Sequence, residues 1–415
     1  MGERRNRGVF ASTEGVKKLK AAQSRQRNEQ EARIWTLGDT AEASEVDERT
    51  VGRFFRQETG IDEKNARSIC QALDVDFEDI IDLQDTEIEL DRTGQLSMNP
   101  FIYGDPVPPD KFYGRQQAKL EVKNRIGAIA SQSINIVGLR RIGKTSLLRY
   151  VRSNPTKFIQ PEQHPLIISL DLQSNSVSTP AGIVEGLRRG IMREQQGKEP
   201  WKQCENEDDW AVQDGLEALR DRGVRLIVML DEFEAIASRL EEFQGWGEDW
   251  RSKASTQGLF SLVVASKRPI SEMYQGLGLT SPFGNIFSTT ILDGLEREAW
   301  QNLVRDGFAG SKVSEETLNW IDDLAGGLPL YVQMAAALFW QEEGDLMRAE
   351  AAFRMQAELR LRELWQGLSE TERRVVQQAG DGEGTMVEQL RRFGVIRADG
   401  GLFSRVFAEL VRGQK

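Results

Sequence analysis

Hydrophobic residues follow two different periods along the chain. From Val9 to about Leu83 they recur at helical spacing, and no alternating strand pattern appears. Further on, short β-rich apolar runs alternate with helical segments. The runs are SINIV at 133–137, LIISLD at 166–171, LIVML at 226–230 and LFSLVVAS at 259–266. This alternation predicts an α/β fold in which a parallel sheet carries helices on both faces.

The C-terminal part of the chain has a helical pattern again. From Glu296 to about Gln341 the helical period is interrupted only at 325–329, AGGLP, where glycine and proline end one helix and allow the next to begin. We predict a helical lid here. The last segment predicts three helices and then a short hairpin around Asp399-Gly400. Three helices followed by a hairpin are the layout of a winged helix.

These changes of pattern divide the chain into segments. Between the first helical region and the first strand, Gly94, Gly104 and several prolines occur with little periodicity, which is typical of a linker. We expect an all-α helix-turn-helix domain at 1–85, a linker at 86–111, an α/β core at 112–292, a helical lid at 293–357 and a winged helix at 358–415.

Composition and cysteine usage exclude several classes of protein. The chain has 415 residues, 39% of them hydrophobic and 29% charged, and no apolar run long enough to span a membrane. Cys70 and Cys204 stand far apart without metal-ligand spacing, which favours a reducing cytoplasm and excludes structural zinc. His164 is the only histidine, and it lies in a polar loop with no visible partner for a catalytic triad or a metal site.

Charge is distributed unevenly along the chain. The net charge of −11 argues against a nucleic-acid coat formed by the whole chain. Basic residues are nevertheless concentrated before most of the acids: Arg4, Arg5, Arg7, Lys17, Lys18, Lys20, Arg25, Arg27 and Arg33. A local basic surface that binds phosphates therefore remains compatible with the composition.

The strongest motif is a phosphate-binding loop. Residues 138–146 read GLRRIGKTS, the pattern GxxxxGK[ST], directly after the run SINIV and before the helical segment TSLLRYV. The glycines let backbone N–H groups surround phosphates, Lys144 reaches the β and γ oxygens, and the hydroxyl of Thr145 suits magnesium. The predicted nucleotide-binding residues of this loop are Gly138, Arg141, Ile142, Gly143, Lys144, Thr145 and Ser146.

Two acids follow the continuous apolar run LIVML. We predict that Asp231 holds Mg²⁺, mostly through water, and that Glu232 polarises the attacking water. Any buried strand that precedes a helix with an acidic first turn has the same pattern. The phosphate-binding loop upstream is what favours the catalytic interpretation, with Thr145 as the second metal-side residue.

Four segments together resemble a known family. They are GLRRIGKTSL at 138–147, the FYGR box at 112–115, the strand that ends in Asp231-Glu232, and GGLPL at 326–330. In order and spacing they are similar to the STAND class of AAA+ P-loop ATPases, near the archaeal-ATPase and NACHT-like branch, over about residues 98–412. The resemblance implies a P-loop NTPase core that binds ATP or ADP with Mg²⁺ and hydrolyses ATP slowly. It also implies adenine as the base, and no guanine-binding NKxD motif occurs in a fitting place.

The resemblance also implies residues that hold the base. Tyr113, Gly114 and Arg115 match the box that lies against the adenine and the ribose. Pro329 matches the proline of the lid that closes over the base. From the residues alone, the FYGR box could instead be a simple turn.

Two further residues match positions that respond to the phosphates. Ser266 ends the fourth predicted strand, where a polar residue of the family senses the γ-phosphate. Arg268 matches an arginine that faces a phosphate or a neighbouring subunit, although Ser266-Lys267-Arg268 alone could be a solvated loop. Many relatives also have a histidine in the winged helix that contacts bound ADP. The stretch LFSRVFAEL has none, so the resemblance does not extend to that contact.

The N-terminal region predicts a helix-turn-helix. Residues 36–44, 45–47 and 48–58 have the pattern of helix, tight turn and helix, and ICQAL at 69–73 fits a later packing helix. The region resembles the helix-turn-helix regions that precede STAND ATPases in some bacterial signalling and conflict-system proteins. The candidate DNA-contacting residues on the second helix are Arg49, Thr50, Arg53, Arg56 and Gln57. Nearby Asp47, Glu48 and Glu58 dilute the positive charge, so a helical protein-interaction module remains an alternative.

Combining these elements, we expect an ATP-driven switch. Nucleotide state would control binding of double-stranded DNA, self-association in the ATP state, or recruitment of a protein effector, in signalling, transcription control or defence. One alternative is an ATP-dependent DNA-loading, initiator or transposition-type ATPase. Another is a scaffold that does not bind DNA, whose N-terminal helices recruit a protein effector.

Overall fold

The computed structural model describes residues 11, 13–28, 33–56, 61–77, 80, 99–130, 132–194, 209–276, 278, 282–309, 313–378 and 384–413. The chain separates into two compact units, Met1–Met98 and Asn99–Lys415. Gln57, one of the predicted DNA contacts, lies outside the described residues. Within the described ranges no helix is long and apolar enough to cross a membrane.

The first unit is built mainly of helices. Its elements are α1 (Thr13–Arg25), β1 (Arg27–Asn28), β2 (Arg33–Ile34), α2 (Leu37–Ser44), α3 (Glu48–Arg56) and α4 (Glu63–Ala72). The two short antiparallel strands were not predicted. Thr36 and Asp39 form a capping box at the start of α2, and Glu45 ends that helix in the left-handed conformation with a φ of 54°. The resulting tight turn directs α3 away from α2.

Apolar residues at helical spacing form the core of this unit. Val51 and Phe54 of α3 pack with Leu19 of α1 and Ile69 of α4, and all four are almost fully buried. Val46 in the turn is also buried. The inner face of α3 is therefore fixed by packing, and only its outer face is available to a partner.

The second unit contains a five-stranded parallel sheet. The strands are β3 (Ser133–Gly138), β4 (Pro165–Asp171), β5 (Arg225–Asp231), β6 (Ser261–Ser266) and β7 (Phe287–Leu292), in the spatial order β4-β5-β6-β3-β7. The four predicted runs form four of these strands. The fifth, β7, was not predicted, because FSTTIL mixes polar and apolar residues instead of forming a continuous apolar run. It lies at the edge of the sheet, where one side of its residues can be polar.

Helices join these strands and extend beyond them. Around the sheet they are α5 (Gln116–Ile126), α6 (Lys144–Ser153), α7 (Pro155–Phe158), α8 (Pro180–Arg193), α9 (Asp209–Asp221), α10 (Gln244–Arg251) and α11 (Ile270–Gly276). After the sheet they are α12 (Arg297–Gly307), α13 (Glu315–Ala325), α14 (Pro329–Gln341), α15 (Leu346–Gly367), α16 (Glu370–Gln377), α17 (Thr385–Arg392) and α18 (Arg405–Arg412). The P-loop lies between β3 and α6.

The turn between α13 and α14 forms where the sequence places it. Gly326 ends α13 with a φ of 53°, and Pro329 is the first residue of α14. A Cβ on Gly326 would lie 2.3 Å from the carbonyl oxygen of Phe403. Glycine is required here both by the left-handed backbone and by the close approach of the C-terminal segment.

The C-terminal helices differ in two respects from the predicted winged helix. Helix α15 runs without a break through residue 358, where we placed the start of the last segment. The predicted hairpin is present as an antiparallel bridge between Ile396 and Leu402, but another helix, α18, follows it.

Residues 99–111, within the predicted linker range, belong to the second unit and pack against its helices. The side-chain amide of Asn99 donates to the carbonyl of Ala337, and the backbone N–H of Ile102 donates to Oε1 of Gln333 at 2.8 Å. The backbone N–H of Val107 donates to Oγ of Ser146 beside the P-loop. This segment therefore connects the lid helix α14 to the start of α6.

Candidate nucleotide-binding site

The P-loop has the backbone geometry that a phosphate cradle requires. Gly143 has a φ of 102°, which only glycine adopts readily, and Arg141 has a φ of 64°. The Lys144 ammonium donates to the carbonyls of Gly138 at 3.0 Å and Leu139 at 3.2 Å. Burial lowers the pKa of Lys144, although the carboxylates of Glu234 and Glu232 act in the opposite direction. When a phosphate binds, Lys144 would therefore exchange its neutral carbonyl partners for a fully charged one.

Two oxygen donors lie at the end of β5 and the start of α6. The Thr145 hydroxyl hydrogen-bonds to the carboxylate of Asp231, which also accepts the backbone N–H of Glu232 at 2.9 Å. Burial raises the pKa of Asp231, and the bond from Thr145 partly offsets that rise. A hydroxyl and a carboxylate side by side are the hard donors that Mg²⁺ prefers. These residues fit a magnesium ion whose other ligands are several waters and the nucleotide phosphates.

A pair of glutamates lies beside this donor pair. Glu232 adopts a φ of 52°, a strained backbone for a residue with a Cβ, and is followed by a short 3-10 helix, Phe233–Arg239. Glu234 in that helix forms an ion pair with Lys267 at 3.2 Å. Burial and then the negative charge of Glu234 raise the pKa of Glu232 to about 7. Burial also acts to raise the pKa of Glu234, but the charge of Lys144, hydrogen bonding and the charge of Lys267 together outweigh it, and the pKa is lowered.

This arrangement makes the activity of a Glu232 base depend on pH near neutrality. A base must be deprotonated, so kcat/KM for ATP hydrolysis is expected to rise as the pH increases through about 7. Glu234→Gln removes the neighbouring negative charge, lowers the pKa of Glu232 and should shift this rise to lower pH. Glu241→Gln, which changes an exposed glutamate beyond the same short helix, should leave the profile in place. Coincident profiles for Glu234→Gln and the wild type would contradict the electrostatic coupling.

A cavity of about 200 Å³ opens beside the P-loop. Its walls come from four parts of the second unit, namely residues 102–115, the P-loop, Glu232 after β5 and the lid region. The predicted residues that line it are Tyr113, Arg115, Arg141, Ile142, Gly143, Lys144, Thr145, Ser146, Glu232 and Pro329. Leu295, Leu303 and Leu330 add an apolar wall on the lid side. The cavity therefore combines phosphate-binding groups at one end with an apolar slot at the other.

The FYGR box connects the cavity to the lid. The Tyr113 hydroxyl donates to Asp306 at 2.9 Å, and burial together with this bond raises the pKa of Tyr113 to about 12. Gly114 has a φ of 63°, and a Cβ there would lie 2.5 Å from Oε2 of Glu296. Gly114 itself does not line the cavity, so its part in the site is to allow this close approach.

Arg115 holds the P-loop rather than presenting a free guanidinium to a ligand. Its side chain is 4% exposed, and it donates to the carbonyl of Ile142 at 2.9 Å and to that of Gly294 at 3.2 Å. It also forms an ion pair with Asp293 at 3.3 Å. Arg115 therefore links the P-loop to the strand-to-lid connection, and a movement of either one alters its hydrogen bonds.

The two predicted phosphate-sensing residues do not line this cavity. The Ser266 hydroxyl is fully buried, accepts from the Asn135 amide at 2.9 Å and donates to the carbonyl of Arg268 at 2.7 Å. Arg268 forms an ion pair with Glu372 of α16 at 2.6 Å, and its guanidinium lies over the ring of Phe393. In this structure, Arg268 thus contacts the C-terminal helices.

Three acids that shape the site were not predicted from the sequence. Glu234 modulates Glu232, while Asp293 and Glu296 hold Arg115 and the FYGR box. The only local sign of Glu234 in the sequence was that it is a charged residue in an otherwise apolar segment after Glu232. Asp293 and Glu296 had no local sign, because their partner is far away in the sequence.

The predicted DNA-contacting residues of the first unit differ in exposure. Arg49 and Arg56 are exposed on α3, whereas Arg53 is half-buried and donates to Oγ1 of Thr50 at 3.0 Å. Thr50 is only 5% exposed, because it faces the turn and its N–H donates to Asp47. The described outer face of α3 therefore offers two exposed arginines, and Thr50 is part of the packing beneath them.

The parallel sheet with a phosphate-binding loop after β3 and helical flanks defines the fold of a P-loop ATPase core. No family model and no curated protein matches the chain. Among solved structures, a Walker-type ATPase of Pyrococcus abyssi is similar, with 16% identity and a TM-score of 0.52 over 75% of this chain and 100% of that chain. This similarity concerns the fold.

Weaker similarities also occur. The ORC2 protein of Aeropyrum pernix, in ADPNP and ADP complexes, has 12% identity and a TM-score of 0.45 over 75% of this chain and 97% of that chain. The ORC1 protein of the same organism, in complex with DNA, has 12% identity and a TM-score of 0.40 over 74% of this chain and 94% of that chain.

Proposed function

We propose that this protein binds ATP with Mg²⁺, hydrolyses it slowly, and acts as a nucleotide-controlled switch of the STAND type. The observation that supports this most directly is the cavity in which the P-loop, Glu232 and Pro329 meet. A phosphate cradle, an acid and a lid residue at one cavity are the parts that nucleotide binding, hydrolysis and a response to the nucleotide need.

The chemistry follows from the position of each group. Lys144 would leave the carbonyls of Gly138 and Leu139 and bind the β- and γ-phosphates. Thr145 and Asp231 would hold Mg²⁺, which supplies charge neutralisation to the phosphates when bound. Glu232 in its deprotonated form would accept a hydrogen bond from the attacking water and orient it.

The base would lie in the apolar part of the cavity. Leu295, Leu303 and Pro329 form a wall suited to a flat heteroaromatic ring. Tyr113 stands at the same cavity, with its hydroxyl held by Asp306 of α12. We assign ATP rather than GTP to this site from the resemblance of the FYGR and GGLPL segments.

Switching would arise because the lid and the core share the nucleotide. Gln333 of α14 contacts the segment that lines the cavity, and Arg115 connects Ile142 of the P-loop to Gly294 before the lid. A change from ATP to ADP removes the negative charge of the terminal phosphate from the P-loop. The lid would then adopt a different angle and expose or cover surfaces for self-association or for an effector.

DNA binding is the output that we propose for the first unit. Exposed Arg49 and Arg56 on α3, after a tight turn, fit contacts with DNA phosphates or bases. Ser266 and Arg268 do not line the nucleotide cavity, although Arg268 lines the neighbouring cavity that Arg141 borders. Their sensing role is part of this proposal, as is self-association in the ATP state.

A salt series with random-sequence duplex DNA tests the output. The full chain should bind DNA with a steep salt dependence and with different affinities in ATP and ADP. Arg49→Ala/Arg56→Ala should lower the affinity by roughly tenfold or more, whereas Lys64→Ala on α4 should not. If the protein does not bind DNA in any nucleotide state, even at low salt, the first unit binds a protein partner instead. A strong stimulation of ATP hydrolysis by DNA would favour a DNA-loading ATPase.

A further inference from the structure

A second cavity, of about 180 Å³, borders the P-loop. It shares Arg140, Arg141 and Leu330 with the first cavity, and α15 provides much of its remaining wall. Five of the residues that line it are cationic, whereas Glu363 is the only acid among them. The cationic residues are Arg140, Arg141, Lys267, Arg268 and Arg360.

Three of these cations already have acidic partners. Arg140 pairs with Glu363 at 3.3 Å, Lys267 with Glu234 at 3.2 Å, and Arg268 with Glu372 at 2.6 Å. Within the described residues, Arg141 and Arg360 form no ion pair. The cavity therefore contains two arginines with which no carboxylate of the described residues forms an ion pair.

Arg360 is incompletely hydrogen-bonded as well. One of its terminal nitrogens, Nη1, donates to the carbonyl of Gln356 at 2.8 Å, but its Nε is buried and has no hydrogen-bond partner. A buried donor without a partner is costly, and an anion that accepts its hydrogen would remove that cost. The guanidinium of Arg360 is thus a preformed donor at the wall of the cavity.

The remaining surroundings favour a small polyanion. Tyr331 lines the cavity, and burial raises the pKa of its phenol, so the hydroxyl remains a donor at neutral pH. Leu139, Leu364 and Leu368 form apolar walls, which strengthen electrostatic attraction by excluding water. A phosphate group carries close to two negative charges at neutral pH and has several acceptor oxygens, which matches two arginines.

We propose that this second cavity is a binding site for a phosphate group, with Arg141 and Arg360 as its charged contacts. The phosphate is either the terminal group of a nucleotide held by the P-loop or free inorganic phosphate, because both present the same oxygens. Arg141 belongs to the P-loop and Arg360 to α15. Phosphate binding therefore ties the C-terminal helices to the state of the P-loop.

The binding of free phosphate is tested in a variant whose nucleotide site is disabled. Inorganic phosphate is titrated into Lys144→Ala, and binding is followed by calorimetry and by broadening of the ³¹P resonance. Adding Arg360→Ala should weaken phosphate binding by roughly tenfold or more, since a charge-assisted pair is lost. Adding Arg362→Ala is the matched control, because Arg362 lies on the same helix but pairs with Glu358. This arm does not depend on the proposed function.

The terminal phosphate of a nucleotide is tested in the wild-type background. Arg360→Ala should weaken binding of a non-hydrolysable ATP analogue by roughly tenfold while leaving ADP affinity unchanged, because only the triphosphate has the added group. Arg362→Ala should preserve the ratio of the two affinities. This arm rests on the proposed function, so a wild-type protein that binds no nucleotide would refute that function and leave the free-phosphate arm to decide the site.

The two arms together decide the proposal. If Arg360→Ala lowers the affinity in either experiment, the result supports the site and identifies the source of the phosphate. If phosphate binding to Lys144→Ala is absent or insensitive to Arg360→Ala, and the ATP-to-ADP ratio is also unchanged, the proposal is overturned. Circular dichroism confirms folding, and Arg360→Gln replaces Arg360→Ala if the latter does not fold.

Discussion

Lys144→Ala is expected to weaken ATP binding by roughly 100-fold or more, because it removes a cation that would form charge-assisted bonds with two phosphates. The Lys144 side chain is buried at the mouth of the P-loop, so no bulk water screens its charge. Calorimetric titration with a non-hydrolysable ATP analogue measures the effect. The change also removes the hydrogen bonds to Gly138 and Leu139, so thermal unfolding should accompany the titration.

Lys123→Ala is the matched control for this experiment. Lys123 is an exposed lysine on α5 and does not line the nucleotide cavity. Its replacement should leave both affinity and melting temperature within error of the wild type. A Lys144→Ala variant that remains folded and binds the analogue within a factor of about three of the wild type would contradict the assignment of the phosphate site.

The sheet was predictable because its central strands are buried on both faces. Such strands must be continuously apolar, and SINIV and LIVML can hardly form anything else between helical segments. The edge strand β7 has no such requirement, so FSTTIL gave no clear signal. Similarly, α15 continues through residue 358 because its buried residues, among them Phe353, Ala357 and Leu361, keep the helical period across that point.

The P-loop and Asp231-Glu232 were predictable because their chemistry is encoded in adjacent residues. Several ion pairs around them join residues that are far apart in the sequence. Arg268 and Glu372 are 104 residues apart, and Arg115 and Asp293 are 178 residues apart. Only the packing of the C-terminal helices and the lid against the core brings these charges together. A sequence pattern therefore identifies the P-loop and the acids after β5 better than the ion pairs that surround them.

The Arg268–Glu372 ion pair bears on how the nucleotide signal would reach the C-terminal helices. Glu372 is almost fully buried and also accepts the backbone N–H of Ser369 at the start of α16. Burial acts to raise the pKa of Glu372, but the Arg268 guanidinium and the bond from Ser369 lower it. The same carboxylate thus caps α16 and holds the loop after β6. A movement of that loop would disturb the first turn of α16 directly.

Glu232→Gln is expected to lower the ATP turnover rate by roughly 100-fold or more, since general-base catalysis of this kind contributes that much. ATP affinity should change little, because Glu232 would contact the water rather than the phosphates. The amide has the shape of the protonated acid. With a pKa of about 7, Glu232 is already partly protonated at neutral pH, so the variant should fold normally. Single-turnover hydrolysis and analogue binding separate the two effects.

The change in stability caused by Glu232→Gln has a predictable sign. Because the folded-state pKa of Glu232 is raised from 4.5 to about 7, the fold loses stability as the pH rises from about 4.5 to about 7, and at pH 8 this loss is complete. Glu232→Gln removes the carboxylate charge and should therefore melt at the same temperature as the wild type or higher at pH 8. Glu241→Gln should change neither turnover nor melting. Wild-type turnover in Glu232→Gln would contradict the role of Glu232, and Glu234, the next carboxylate at Lys144, would become the candidate base.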